Sequence, residues 1–109
     1  MITRISLRQA AATVVIASML IGGCNAKTPE ALLTSAKQYL AKNENKAAVI
    51  QLKNALQQNP NLAEARFLLG KVLLETDDVA AAEEELRKAQ ELNYAADEVI
   101  PLLARSMAS

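Results

Sequence analysis

The sequence predicts an all-α protein in which paired helices follow an N-terminal leader, and three observations support this. Residues 29–62 and 63–96 are two 34-residue segments that align without a gap. Small and large side chains recur at matching places in both segments (Ala36, Ala48, Ala55, Tyr39 and Leu52; then Gly70, Ala82, Ala89, Leu73 and Leu86). Hydrophobic residues make up 51% of the chain and aromatic residues only 3%, which favours helices packed through aliphatic side chains.

This spacing resembles the tetratricopeptide (TPR) repeat, in which small residues let two antiparallel helices approach and large residues fill the space between them. A proline at the thirty-second place ends the second helix in that family; Pro60 fits and Tyr94 does not. The resemblance implies a right-handed α-α superhelix of about two and a half repeats. Residues 97–109 would supply the first helix of a third, incomplete repeat.

Two other places depart from the family pattern. The fourth place, often aromatic, holds Leu32 and then Arg66. The glycine that usually separates the helices is replaced by Asn43 and Asp77, which tolerate the left-handed backbone conformation of a helix C-terminus better than other residues do.

Local signals place the helix ends. Thr28 can cap a helix that begins at Pro29, and the run from Asn43 to Asn45 interrupts the helical pattern. We expect the second helix to end near Gln58, before Asn59 and Pro60. In the second unit we expect helices at about residues 62–75 and 79–92, the latter capped by Asp78. Pro101 lies near the first turn of the last helix, where a missing N–H is tolerable.

Residues 1–23 have the layout of a secretory signal peptide, with Arg4 and Arg8 followed by an apolar run that is short for a membrane span. The IGGC sequence that ends at Cys24 resembles a bacterial lipobox, which implies acylation of Cys24 by palmitate-type chains. The alternatives are an ordinary signal peptide with an incidental cysteine, or an uncleaved anchor. If Cys24 is acylated, residues 24–28 are the lipidated end and a short tether. In the lipoproteins of bacteria with two membranes, an aspartate after the acylated cysteine favours the inner membrane. The resemblance therefore implies that this protein, with Asn25 at that position, faces the periplasm from the outer membrane rather than the inner membrane.

The composition offers little chemistry for an enzyme. The chain has no His and one Cys, and it shows neither a Gly-rich phosphate loop nor a cluster with metal-ligand spacing. Its 12 basic residues include Arg4 and Arg8, so residues 24–109 carry ten basic and 12 acidic side chains, which does not suggest nucleic acid. We therefore expect no catalytic residues, no metal, no cofactor and no small-molecule substrate, and a protein or peptide as the partner.

The first helices carry a candidate peptide-binding groove, if the ninth place of each repeat faces the concave surface as it commonly does in the family. That place holds a cation in each repeat, and the second place holds a carboxylate seven residues earlier (Lys37, Lys71 and Arg105; Glu30, Glu64 and Glu98). Such ladders would suit an extended peptide with an acidic stretch or a free carboxylate. Leu33 and Phe67, with Leu40 and Leu74, would add an apolar floor. The alternatives are exposed solubilising positions for the charges and an inter-repeat core for the apolar residues.

Two further features each have two interpretations. The run Glu83-Glu84-Glu85 is either a solvated helix face, with Glu83 paired to Arg87 and Glu84 to Lys88, or a partner contact. The last helix carries the apolar residues Ile100, Leu103, Ala104 and Met107, and no second helix follows it in the sequence to cover one of its faces. It therefore indicates either part of a longer repeat protein or a small complete protein in which Arg105 and Ser106 help this helix to act as a cap.

In its intervening residues, the chain resembles the large TPR-repeat lipoproteins that accompany exosortase, PEP-CTERM protein sorting and exopolysaccharide export. The similar stretches are AVIQLKNALQQNP from Ala48, EARFLLGKVLLE from Glu64, AAEEELRKAQELN from Ala81, and VIPLLARSM from Val99. This resemblance implies a membrane-anchored scaffold for protein-protein interaction in a bacterial envelope system. The alternatives are a pilotin-like TPR lipoprotein for a secretin, and a structural spacer with no ligand of its own.

Overall fold

The computed structural model describes residues 27–109, which form five α-helices and no strand. The helices are α1 (Pro29–Ala41), α2 (Asn45–Gln58), α3 (Ala63–Glu75), α4 (Val79–Glu91) and α5 (Ala96–Met107). The pairs α1/α2 and α3/α4 pack side by side, while α3 also contacts α2 and α5 packs mainly on α4. The predicted leader and Cys24 lie outside the described residues.

The predicted start of α1 is confirmed, because the Thr28 hydroxyl accepts a hydrogen bond from the Ala31 N–H at 3.1 Å and Pro29 is the first helical residue. The prediction for Asp78 is wrong in part. Asp78 precedes α4, but its side chain makes no capping hydrogen bond. Its backbone angles, φ −90° and ψ 69°, are not those of the extended conformation that directs a capping side chain toward the helix.

Three helices, α1, α3 and α4, are followed by a residue with left-handed backbone. Asn43 (φ 59°) and Asp77 (φ 62°) confirm the prediction, and Asn93 (φ 59°) ends α4 in the same way. The residue after each of them donates its N–H to the carbonyl five residues earlier, at 2.9–3.0 Å (Glu44 to Tyr39, Asp78 to Leu73, Tyr94 to Ala89). This arrangement satisfies carbonyls that the helix end would otherwise leave free.

The small and large residues of the repeat pack as predicted, with one exception. The small residues are buried in both units, and Leu52 and Leu86 are fully buried between the helices (Ala36, Ala48, Ala55, Gly70, Ala82, Ala89). A Cβ built on Gly70 would lie 2.7 Å from Leu86 Cγ and 3.3 Å from the Ala82 carbonyl oxygen. The eleventh place differs, because Tyr39 and Leu73 are only half-buried.

Two apolar clusters meet at α3. The first joins α1, α2 and α3 around Leu52, and the second joins α3, α4 and α5 around Leu86, with Leu68 packed against both. In α5 the buried residues are Val99, Leu103 and Ser106, and the Ser106 hydroxyl donates to the Leu103 carbonyl at 2.7 Å. Burial of Ser106 means that it does not contribute to a polar capping surface.

The start of α5 differs from the prediction by one residue. The helix begins at Ala96, so Pro101 is its sixth residue and lies beyond the first turn. A proline there removes the hydrogen bond that its N–H would have made to the carbonyl of Asp97. Asp97 and Pro101 are both exposed, so water can solvate the carbonyl group of Asp97.

We predict that Gly70→Ala destabilises the protein by about 1–3 kcal/mol, because the new methyl group would collide with a fully buried leucine. Alanine would otherwise favour the helix by about 1 kcal/mol, so the sign of the change is diagnostic. Urea denaturation followed by circular dichroism measures it. In a Leu86→Ala background, where the collision is relieved, the same substitution should cost less or become stabilising. An equal loss in both backgrounds would contradict the contact.

Candidate interaction groove

The first helices α1, α3 and α5 present the six predicted charged residues at corresponding positions. All are exposed except Glu64, which is half-buried (Glu30, Lys37, Glu64, Lys71, Glu98 and Arg105). The carboxylates lie in the first turns of the helices, where the positive end of the helix dipole favours them. The helices therefore position one carboxylate and one cation per unit.

Lys37 and Glu64 form an ion pair that links α1 to α3. The sequence predicted two ladders in which each cation lies two turns from the carboxylate of its own helix. The structure instead pairs the cation of the first unit with the carboxylate of the second. Because both side chains are partly exposed, such a pair stabilises by only about 0–1 kcal/mol. It does, however, leave Lys37 less available to a ligand than its sequence position suggests.

Lys71 lies at the edge of a small recess of about 170 Å³ between the α1–α2 turn and α3. The other lining residues are apolar or carry amide groups, with one carboxylate (Leu40, Asn43, Asn45, Leu68, Val72 and Glu75). Within the described part of the chain, no carboxylate comes within ion-pair distance of Lys71 or of Arg105. These two cations are therefore the ladder members that could be offered to a carboxylate ligand.

Tyr94 adds an aromatic residue that the sequence interpretation treated only as a departure from proline. Its ring stacks on Phe67, with centroids 5.0 Å apart and planes 26° apart. Partial burial, followed by the carboxylates of Glu64 and Glu98, raises the pKa of the Tyr94 phenol, while Lys37 acts in the opposite direction. Charged side chains from all three units therefore act on the Tyr94 phenol. In the sequence, the rarity of aromatic residues was the signal that could have drawn attention to Tyr94.

The predicted apolar floor is wrong. Leu33 is buried in the first cluster, and Phe67 is buried in the second beneath Tyr94. Leu74 is buried as well, and only Leu40 keeps some exposure, at the edge of the Lys71 recess. Leu33 and Phe67 belong to the inter-repeat core, which was the alternative interpretation, because each first helix turns this face toward its neighbours. They offer almost no area to a ligand.

The glutamate run divides between solvent and the interior. Glu83 accepts from Arg87 at 2.6 and 3.0 Å and Glu84 from Lys88 at 2.9 Å, which confirms the two predicted pairs. The hydrogen bond from Lys88 lowers the pKa of Glu84, and the same contact raises the pKa of Lys88. The hydrogen bond that the ammonium donates to the carboxylate stabilises the charged form of both groups.

Glu85, by contrast, points toward α3 and accepts from Arg66 Nη1 at 2.8 Å, with both side chains about 15% exposed. Arg66 Nε also donates to the Pro60 carbonyl at 3.1 Å. Arg66 therefore ties α3 to α4 and to the α2–α3 connection from the place that is often aromatic in the family. Sequence reasoning recorded Arg66 as a departure and missed its partner, because the two residues are 19 positions apart.

The described residues show no other chemical centre. Among residues 27–109, no group of three or more Asp, Glu, His or Cys side chains is arranged to hold a metal ion. In the same range, no helix combines the length and apolarity that crossing a bilayer requires.

We predict that Tyr94 ionises above the ordinary tyrosine value of about 10. A Tyr39→Phe chain leaves Tyr94 as the only tyrosine, and its ultraviolet absorbance titration reports the phenol directly. Because the folded-state pKa is raised, the folded form binds this proton more tightly. Its stabilising contribution is thus complete below the unfolded pKa and is lost as pH rises through the folded pKa. The same chain in urea is the control, and a folded midpoint at or below the unfolded one would contradict the prediction.

Comparison with known proteins supports the repeat. The family model described as a TPR repeat matches residues 36–77, which span the C-terminal part of α1, all of α2 and all of α3. No curated protein matches the chain. The narrower resemblance to exosortase-associated lipoproteins receives no support from these comparisons and stays a prediction. The described part of the chain is an all-helical stack of five helices that contains a TPR repeat, as in a helical TPR solenoid of a few repeats.

Proposed function

We propose that this protein is a membrane-tethered scaffold whose groove on α1, α3 and α5 binds an extended, acidic segment of a protein partner. TPR repeats are typically modules of protein-protein interaction, and one is present at residues 36–77. The observation that carries the finer proposal is the division of the groove cations. Lys37 is occupied by Glu64, whereas Lys71 and Arg105 have no carboxylate partner in the described residues.

The Lys71 recess supplies the groups that a peptide carboxylate needs. In the lining of the recess, the Lys71 ammonium and two asparagine side chains supply one positive charge and neutral hydrogen-bonding groups, and Leu40 and Leu68 supply apolar surface. The Glu75 carboxylate lines the recess too and opposes the negative charge of such a ligand. A single exposed cation contributes about 0–1 kcal/mol, so Lys71 and Arg105 must act together on one ligand. Arg105 follows Lys71 by one 34-residue repeat, which places the two cations on successive first helices of the array.

The membrane tether rests on the leader. IGGC ends at Cys24, and α1 begins at Pro29 behind the Thr28 cap. Four residues therefore separate the acylation site from the first helix, a reach of about 18 Å at most between Cys24 and Pro29. Several acyl chains on one cysteine give stable anchoring. The groove would thus work close to the periplasmic face of the membrane, which we propose to be the outer membrane of a Gram-negative envelope.

The system served by this scaffold is proposed from the resemblance of the intervening residues. That resemblance favours PEP-CTERM protein sorting or exopolysaccharide export, where assembly of other components is the expected role. A scaffold needs no catalytic group of its own. The pilotin-like and spacer alternatives of the sequence interpretation predict different results in the experiment below.

We predict that Lys71→Glu combined with Arg105→Glu weakens partner binding about tenfold or more, because two favourable contacts become repulsive. Partners captured from envelope extracts by the wild-type chain are identified by mass spectrometry and purified. Binding is then measured at fixed salt concentration. Lys46→Glu with Lys53→Glu is the matched control, since it makes the same charge change at exposed positions of α2.

Circular dichroism should give the same helicity for the wild type and both double variants. Unchanged binding by the groove variant would remove the cation proposal and favour the spacer. A secretin among the purified partners, with binding independent of Lys71 and Arg105, would favour the pilotin alternative.

We predict that Cys24 is the site of lipidation. Cells expressing the chain and fed a clickable palmitate analogue should label the wild type and not Cys24→Ser, because no other cysteine is present. The variant should also leave the membrane fraction. An unlabelled wild type would exclude the tether and leave a released periplasmic protein or an uncleaved anchor, which sedimentation with membranes distinguishes.

A further inference from the structure

The hydroxyl group of Tyr94 takes no part in the packing that holds its ring. The ring lies against Phe67, with centroids 5.0 Å apart, and packs on the apolar cluster of α3, α4 and α5. Among residues 27–109, no group forms a hydrogen bond with the Tyr94 hydroxyl, and no polar side-chain atom in this range is both enclosed and without a partner. The hydroxyl therefore reaches solvent from a ring whose position is fixed.

The repeat does not require a tyrosine at this place. Pro60 occupies the corresponding place of the first unit, and it has neither an aromatic ring nor a hydroxyl. Stacking on Phe67 accounts for the ring of Tyr94, but a phenylalanine would provide the same contact. The packing of the fold thus explains the ring and leaves the hydroxyl without a role.

The charges that act on the Tyr94 phenol belong to the groove. They are the carboxylates of Glu64 and Glu98 and the ammonium of Lys37. Glu64 and Lys71 both lie on α3, seven residues apart, which is roughly 10 Å along the helix axis. About three residues of an extended segment span that distance, so one bound segment can reach Tyr94 and Lys71 together.

We propose that Tyr94 is a ligand-binding residue of the groove, and that its hydroxyl donates a hydrogen bond to a main-chain carbonyl of the bound segment. This inference rests on the proposed function, since it needs an extended acidic segment in the groove. A tyrosine ring that is already held in place loses little conformational freedom on binding. Tyrosine is accordingly frequent among the residues that dominate binding energy at interfaces.

The surrounding charges select the kind of acceptor. Glu64 and Glu98 disfavour a ligand carboxylate close to the phenol. Partial burial, followed by these two carboxylates, raises the pKa of the Tyr94 phenol, so the hydroxyl keeps its proton and can donate. A main-chain carbonyl is neutral, and an extended segment offers one in every residue. Tyr94 therefore recognises the extended backbone, while Lys71 and Arg105 recognise carboxylates.

Fluorescence anisotropy with the full chain in detergent tests this contact, and the probe is a labelled, amidated octapeptide of alternating glutamate and glycine. Tyr94→Phe should weaken binding about two- to tenfold at fixed salt concentration, because it removes one neutral hydrogen bond and keeps the stacked ring. Tyr39→Phe is the matched control, since it removes the hydroxyl of the other tyrosine, and it should bind as the wild type does. Urea denaturation should give the same stability for Tyr94→Phe and the wild type.

Tyrosine absorbance locates the contact. The chain has two tyrosines and no Trp, so the tyrosine band of the Tyr39→Phe chain reports Tyr94 alone. The unlabelled octapeptide should shift this band to longer wavelength, because the phenol then donates a stronger hydrogen bond. In the Tyr94→Phe chain, where the band reports Tyr39, the octapeptide should cause no shift.

The outcomes separate this inference from the proposed function. If Tyr94→Phe binds as tightly as the wild type while Lys71→Glu with Arg105→Glu binds more weakly, this inference is overturned and the proposed function stands. An octapeptide that the wild type does not bind, or binding that none of these substitutions weakens, overturns both. A Tyr39→Phe chain that loses as much binding as Tyr94→Phe also overturns this inference.

A final arm tests the kind of acceptor. Glutamine replaces each glutamate of the octapeptide in turn, and the loss caused by Tyr94→Phe should persist with every one of these peptides. A loss that disappears with one of them would show that Tyr94 contacts a carboxylate, and it would overturn the assignment of Tyr94 to the main chain.

Discussion

The close approach of paired antiparallel helices is the constraint on which the rest of this structure depends. It is most acute where Leu86 occupies the space that a side chain on Gly70 would need. A small residue on the first helix and a large one on the second set the distance between them. Because α3 contacts both α2 and α4, this helix also connects the packing of the second unit to that of the first. The positions of the groove side chains follow from that packing.

Two polar links connect elements on either side of this packed core. Lys37 joins α1 to Glu64 on α3, and Arg66 joins α3 to Glu85 on α4 and to the Pro60 carbonyl. The second link is the more enclosed, so its loss would leave a carboxylate poorly solvated beside the core. Charges that resemble a ligand site in sequence thus serve partly to hold the units together. The remaining cations, Lys71 and Arg105, are the stronger candidates for recognition.

Sequence reasoning succeeded where the signal was local. Thr28 and Pro29 marked the start of α1, Asn43 and Asp77 marked left-handed turns, and the recurring alanines marked buried positions. Each of these properties depends on a few neighbouring residues. Sequence reasoning failed for Phe67, which was expected to be in the groove but is buried under Tyr94. The first helix of a unit can turn its apolar face to a ligand or to neighbouring helices. Which of the two occurs depends on the angle between units, and the repeat period does not specify that angle.

The sequence by itself determined that the chain is helical, where its helices break, and which small residues lie between paired helices, since helical periodicity and turn chemistry are properties of short segments. Only the tertiary structure decided which charges pair between helices and which stay unpaired. Lys37 meets Glu64 of the next unit rather than the carboxylate of its own helix, and Glu85 pairs with Arg66 of the other helix in its unit, 19 residues away. The physical reason is that side chains from different helices come within a few ångströms only through the way the helices pack, within a unit and between units. That arrangement results from the packing of the whole core.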